Sequence, residues 1–136
     1  MHSFKDNKGV EWVVEVNMAT VKRVKNALGI NIADLDNREF MQKLKDDIIF
    51  LIDLLYLTCK EQADKRAITD EAFASLIFGD VLEQAVSAFL ESYVDFFPAG
   101  TRQRLRAAQN LMSPVIEKAL AAIDQKLGIN QSSTAT

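Results

Sequence analysis

The chain has one histidine and one cysteine in 136 residues, and both scarcities exclude chemistry. With Cys59 alone, no disulfide can close within the chain, which suits a reducing compartment. A Cys/His zinc site has no ligands to draw on. His2 stands next to the first residue, so a serine–histidine–aspartate triad would have to rest on a terminal side chain. The expectation for His2 is a mobile terminus rather than a catalyst. The five glycines are scattered at turn positions, and neither a P-loop nor a dinucleotide-binding loop is present. The apolar run from Ile48 to Leu57 contains Asp53 and is too short for a bilayer, which takes roughly 20 residues. The opening MHSFKDNKG has no apolar signal core, which predicts an unexported chain. These absences point to a protein without metal or cofactor, outside the membrane, that acts by contact rather than catalysis.

What is present is material for a core. Hydrophobic residues make up 49% and charged residues 26%, the balance of a globular domain. The length fits one domain, taken as residues 1–128 with a flexible tail at 129–136. The net charge of −3 argues against an extended nucleic-acid surface, which needs a basic excess.

Local signals divide the chain into elements. Asp6-Asn7-Lys8-Gly9 is a turn, and Val10 to Val16 is rich in β-branched and aromatic residues; together they predict a hairpin over about residues 3–16. Such a hairpin is marginal alone and must lie on helices or on a partner chain. Asn17 caps a helix over Met18–Leu28, with Met18, Val21, Val24, Ala27 and Leu28 on one face and Gly29 as its stop. Ile30, Ile32 and Leu35 are loop residues expected under the core. Asp36 and Glu39 have capping-box spacing and predict a short helix through about Lys45. The segment from about Asp47 to Lys65 reads as one helix, apolar nearly all round in its first half and hence buried on several sides. Thr69 caps a helix to Phe78 that stops at Gly79. Asp80, with Glu83, opens the next helix, which Pro98 and Gly100 end after Phe96-Phe97. Thr101 caps a last helix to Leu127, with a break near Pro114 and a stop at Gly128. The fold class is therefore mainly α, a compact bundle of about six helices with a small N-terminal β-hairpin.

Few side chains remain as functional candidates. Cys59 reads either as a thiolate activated by Lys60 or as a small buried apolar residue, and the lack of a nearby base favours the second. Asp53 is either a buried carboxylate with a cationic partner or the one solvated position of its helix. Asp46, Asp47, Asp64, Asp70, Glu71 and Asp80 do not make a metal site, because four of them stand at helix starts where capping explains them. Lys22, Arg23 and Lys25, and Arg102, Arg104 and Arg106, are basic clusters, read chiefly as solvated helix faces. Phe96-Phe97-Pro98 differs from the other aromatics. Neighbouring residues on a helix point in different directions, so one phenylalanine can be core and the other exposed to a partner. The candidate protein-binding surface is Phe96, Phe97 and Pro98 with the basic face at Arg102 and Arg106.

The order of these pieces resembles a known family. A strand pair around Trp12 precedes Val21-Lys22-Arg23-Val24-Lys25 and Leu28-Gly29-Ile30. Leu54 to Cys59 with Gln62-Ala63-Asp64 follows, then Ile68-Thr69-Asp70-Glu71-Ala72-Phe73. Gly79-Asp80 precedes Ala85, and Val94-Asp95-Phe96-Phe97-Pro98 closes the pattern. Over residues 4–106 this resembles the small proteins encoded among tail genes of tailed bacteriophages and prophages, described as tail assembly chaperones. The resemblance implies a non-catalytic protein of the host cytoplasm. Its partner would be the helical tape measure protein, kept soluble while tail tube subunits polymerise around it. It also implies several copies on one client, hence a homo-oligomer, and absence from the finished particle. Structural tail or connector subunits come from the same gene neighbourhood and are the second expectation; a nucleic-acid-binding regulator using Arg102 to Arg106 is the third.

Overall fold

A computed structural model describes residues 2–107. The break near Pro114, the stop at Gly128 and the tail at 129–136 lie outside the described residues. Two strands, β1 (His2–Lys5) and β2 (Glu11–Val14), are followed by α1 (Met18–Leu28), α2 (Arg38–Asp46), α3 (Ile48–Thr58), α4 (Lys60–Lys65), α5 (Asp70–Ala74) and α6 (Asp80–Asp95). A further helical stretch covers residues 99–107. The fold is mainly helical with a small antiparallel hairpin. Among the described residues no helix is long and apolar enough to cross a membrane.

The hairpin turn is built by Asp6. Gly9 N–H donates to the Asp6 carbonyl, and Asp6 N–H to the Val10 carbonyl, both at 2.9 Å. Gly9 takes φ +80°, the left-handed conformation that this bulged turn requires. The Asp6 carboxylate accepts from the Lys8 and Val10 amides and from the Trp12 indole at 2.9 Å. Burial pushes this carboxyl up, but the Trp12, Val10 and Lys8 bonds outweigh it and leave it below its ordinary value. Strand alternation then turns Phe4, Trp12 and Val14 to the core and Ser3, Lys5 and Glu11 to solvent.

Helix α3 is the hub: it packs against α1, α2, α5 and α6, while α6 lies along β1. Trp12 is fully buried and meets Phe73 of α5 edge-on at 5.0 Å between centroids. Phe40 of α2 packs against Phe50 and Tyr93. The Tyr93 hydroxyl donates to the Ile32 carbonyl at 2.6 Å, which ties the loop after α1 to α6.

Several local expectations change. The segment from Asp47 to Lys65 is two helices, because Cys59 leaves the helical conformation at φ −98°, ψ 14°. Thr58 Oγ1 donates back to the Leu54 carbonyl, and the Arg23 guanidinium takes the Leu57 carbonyl. Both withdraw acceptors or bend the chain at the point where the helix would continue. The cap of α2 is Asn37, whose side chain accepts from Phe40 N–H, and not Asp36. The helix capped by Thr69 ends at Ala74, and Phe78 is 60% exposed in the following loop. Gly79, at φ 63°, ψ −138°, is the N-cap of α6, and Asp80 makes no side-chain cap. The helix after Pro98 starts at residue 99, ahead of Thr101. Asn17 caps α1 with a reciprocal bond to Thr20, and Gly29 ends it at φ 72°. Met18, Ala27 and Leu35 are exposed rather than core, whereas Ile30 and Ile32 are buried.

Candidate functional site

The end of α6 carries the surface expected to bind protein. Phe97 is buried in the core cluster and Phe96 is half-buried against it. Their rings meet edge-on at 5.1 Å, and Phe97 meets Tyr93 at 5.1 Å as well. The helix ends at Asp95, and Phe96 as its C-cap remains in helical conformation. Phe97 is thereby folded back onto the aromatic column of Phe89, Tyr93 and Phe40, and Phe96 packs on Phe97. The expected exposed phenylalanine is absent from this pair, because each finds aromatic neighbours; Pro98 alone of the three is exposed.

The basic half of that surface is partly neutralised. Arg106 donates from Nη2 to Asp95 Oδ1 at 2.8 Å, and His2 Nε2 lies 2.8 Å from Asp95 Oδ2. The His2 bond holds the Asp95 carboxyl below its ordinary value; burial opposes this, and the charges of Arg106 and Arg102 reinforce it. One carboxylate thus joins the hairpin, α6 and the helical stretch after Pro98. His2 is not a free terminal side chain but part of this junction. Arg102 is half-buried and Arg104 exposed. Arg23, in the other basic cluster, is occupied by the Leu57 carbonyl and by Glu61 at 3.6 Å.

Among the described residues no hydroxyl or thiol bonds to His2 or Asp95 at this junction. Ser3 Oγ donates to Glu11 Oε2 at 3.0 Å on the opposite face of the strand from His2. Cys59 is fully buried, and burial pushes its thiol up to about 12, with Arg66 opposing the shift. A thiol so placed stays protonated and poorly nucleophilic at neutral pH. Among the described residues no group of His, Cys, Asp and Glu side chains is arranged to hold a metal ion.

An apolar face that the sequence suggested was buried is instead partly open. Ile49 of α3 is 76% exposed. Ile52, Asp53 and Tyr56, at spacings of three, four and seven from it, are half-buried and share its side of the helix. Asp53 has no ion-pair partner among the described residues. Burial, followed by the negative charges of Asp70 and Asp47, raises its carboxyl above the ordinary value. The first four residues of α3 give no sign of this asymmetry, since all are apolar; only the packing of α1, α2, α5 and α6 around the helix decides which side stays uncovered.

No protein-family model, curated protein or solved structure matches the chain.

Proposed function

We propose that the chain is a non-catalytic tail assembly chaperone of a tailed phage or prophage. It binds the tape measure protein in the host cytoplasm, keeps it soluble while the tail tube protein polymerises around it, and is absent from the finished particle. Several copies coat one long client, so self-association accompanies binding. The order of sequence pieces from the hairpin to Phe97-Pro98 suggests the reading.

The observation that carries it is the open face of α3. Ile49, Ile52 and Tyr56 form an apolar stripe at helical spacing, with the Asp53 carboxylate, which has no ion-pair partner among the described residues, within it. An amphipathic helix with apolar residues at matching intervals and a lysine or arginine facing Asp53 is complementary to that stripe. The surface at Pro98, Arg102 and Arg106 is a second contact region, reduced by the burial of Phe97 and by the Arg106–Asp95 pair. That pairing also weakens the nucleic-acid alternative.

Co-expression with the tape measure protein of the same phage tests the proposal. A soluble complex is expected; an insoluble client with no complex contradicts it. A structural subunit would instead be present stoichiometrically in purified particles.

A further inference from the structure

The two outer edges of the hairpin are not treated alike. Asp6 donates its N–H to the Val10 carbonyl, which marks a hydrogen-bonding position of the ladder, and the register places Phe4 opposite Trp12 and His2 opposite Val14. Hydrogen-bonded pairs alternate along an antiparallel ladder. Ser3 and Lys5 on β1, and Glu11 and Val13 on β2, therefore turn their N–H and C=O groups outward.

On β2 all of those groups but the Glu11 N–H are taken. Gln62 bonds both the N–H and the C=O of Val13, and Arg66 donates to the Glu11 carbonyl at 3.0 Å. On β1 the outward groups of Ser3 and Lys5 have no hydrogen-bond partner among the described residues. An uncovered strand edge is a template for another strand.

That open edge borders a groove of about 830 Å³ between β1 and α6. His2 and Ser3 form one wall, and Asp80, Glu83, Ser87 and Glu91 belong to the α6 wall. The spacings along α6 place these side chains on one stripe running beside the strand. Among the described residues three carboxylates face the groove, and no lysine or arginine lines it.

We propose that the outer edge of β1 and the acidic wall of α6 bind an extended basic segment of another protein, added to the hairpin as a third strand. Ser3 and Lys5 supply the main-chain hydrogen bonds, and Asp80, Glu83 and Glu91 select lysine or arginine side chains. A second copy of this chain is disfavoured as the occupant, because pairing β1 with β1 across a two-fold axis would bring two acidic stripes together. The inference goes beyond the chaperone reading and does not depend on it, since the site and the backbone chemistry differ from those of the α3 face.

Backbone amide NMR of the full chain tests it, with a short synthetic peptide of alternating lysine and valine as the probe. The amides of Ser3, Lys5, Glu83 and Ser87 should shift on titration, and a peptide of alternating glutamate and valine should move none of them. Ser3→Pro removes an outward N–H without touching the ladder to β2, a position where proline is tolerated, and should abolish binding. Glu83→Lys with Glu91→Lys should weaken it at least about tenfold, a loss of ~1.4 kcal/mol. This pair keeps the test decisive if Ser3→Pro does not fold, which the emission of the single buried tryptophan reports. The proposal is overturned by an equal response to the acidic peptide, by shifts on α6 with Ser3 and Lys5 unmoved, or by no shifts at millimolar peptide. Undiminished binding in the charge-reversed pair also overturns it.

Discussion

The side-chain amide of Gln62 meets the backbone of Val13 as a neighbouring strand would. Val13 N–H donates to Gln62 Oε1 at 2.8 Å, and Gln62 Nε2 donates to the Val13 carbonyl at 2.7 Å. Gln62 of α4 thereby closes the edge of β2 at Val13, as Arg66 does at the Glu11 carbonyl, and anchors the hairpin on the helices. Replacing Gln62 with alanine leaves the partly buried Val13 N–H unpaired and its carbonyl with only the weak Cys59 thiol donor at 3.7 Å. Gln62→Ala should cost about 1–3 kcal/mol, read as a lowered urea midpoint. The Val13 amide should also exchange faster with solvent than in the parent.

Ala67 is the one non-glycine residue at positive φ among the described residues, at 55°. It follows α4, where Ala67 N–H donates to the Asp64 carbonyl and Ile68 N–H to the Ala63 carbonyl. These two bonds are a Schellman closure, whose left-handed position favours glycine. Ala67→Gly should stabilise the fold by up to about 1 kcal/mol, because the left-handed strain exceeds the added freedom of the unfolded chain. A rise in melting temperature checks this.

Asp53 makes the opposite contribution from a well-paired carboxylate. Its folded-state pKa lies above 3.8 through burial and the charges of Asp70 and Asp47. The folded chain therefore holds this proton to higher pH than the unfolded chain, and stability falls as pH rises through that interval. Asp53→Asn cannot ionise and should be the more stable form at neutral pH. The gain should be small, because solvent reaches the site and screens the two charges. Thermal melts at neutral pH and below about pH 3 should show the gain in the first and its loss in the second.

The features legible in the sequence are those set by near neighbours. Asn17 with Thr20, Thr69 with Ala72, and Gly29 after Leu28 are local bonds and conformations, and they appear where the residue types predict. The Asp6–Gly9 turn is legible for the same reason. The missed features join distant parts of the chain or lack a residue signal. The break at Cys59 depends on Arg23 reaching the Leu57 carbonyl from α1. The closure after α4 uses alanine where glycine would have announced it. His2 gains its partner Asp95 from the far end of the fold. Phe97 is core because Tyr93 and Phe96 pack on it, which adjacency in sequence leaves open. Ile49 belongs to an apolar run and is nevertheless the side chain left uncovered.

The contact reading is tested most directly by one substitution at that position. Ile49 is 76% exposed, so Ile49→Glu should change stability by no more than about 0.5 kcal/mol. The parent and the variant are each co-expressed with the tape measure protein, and the soluble complex is quantified after size-exclusion chromatography. The account predicts a soluble complex with the parent and its loss with an equally folded Ile49→Glu. An unchanged complex with the variant would contradict the α3 face as the client site, and failure of the parent to hold the client would contradict the chaperone function itself.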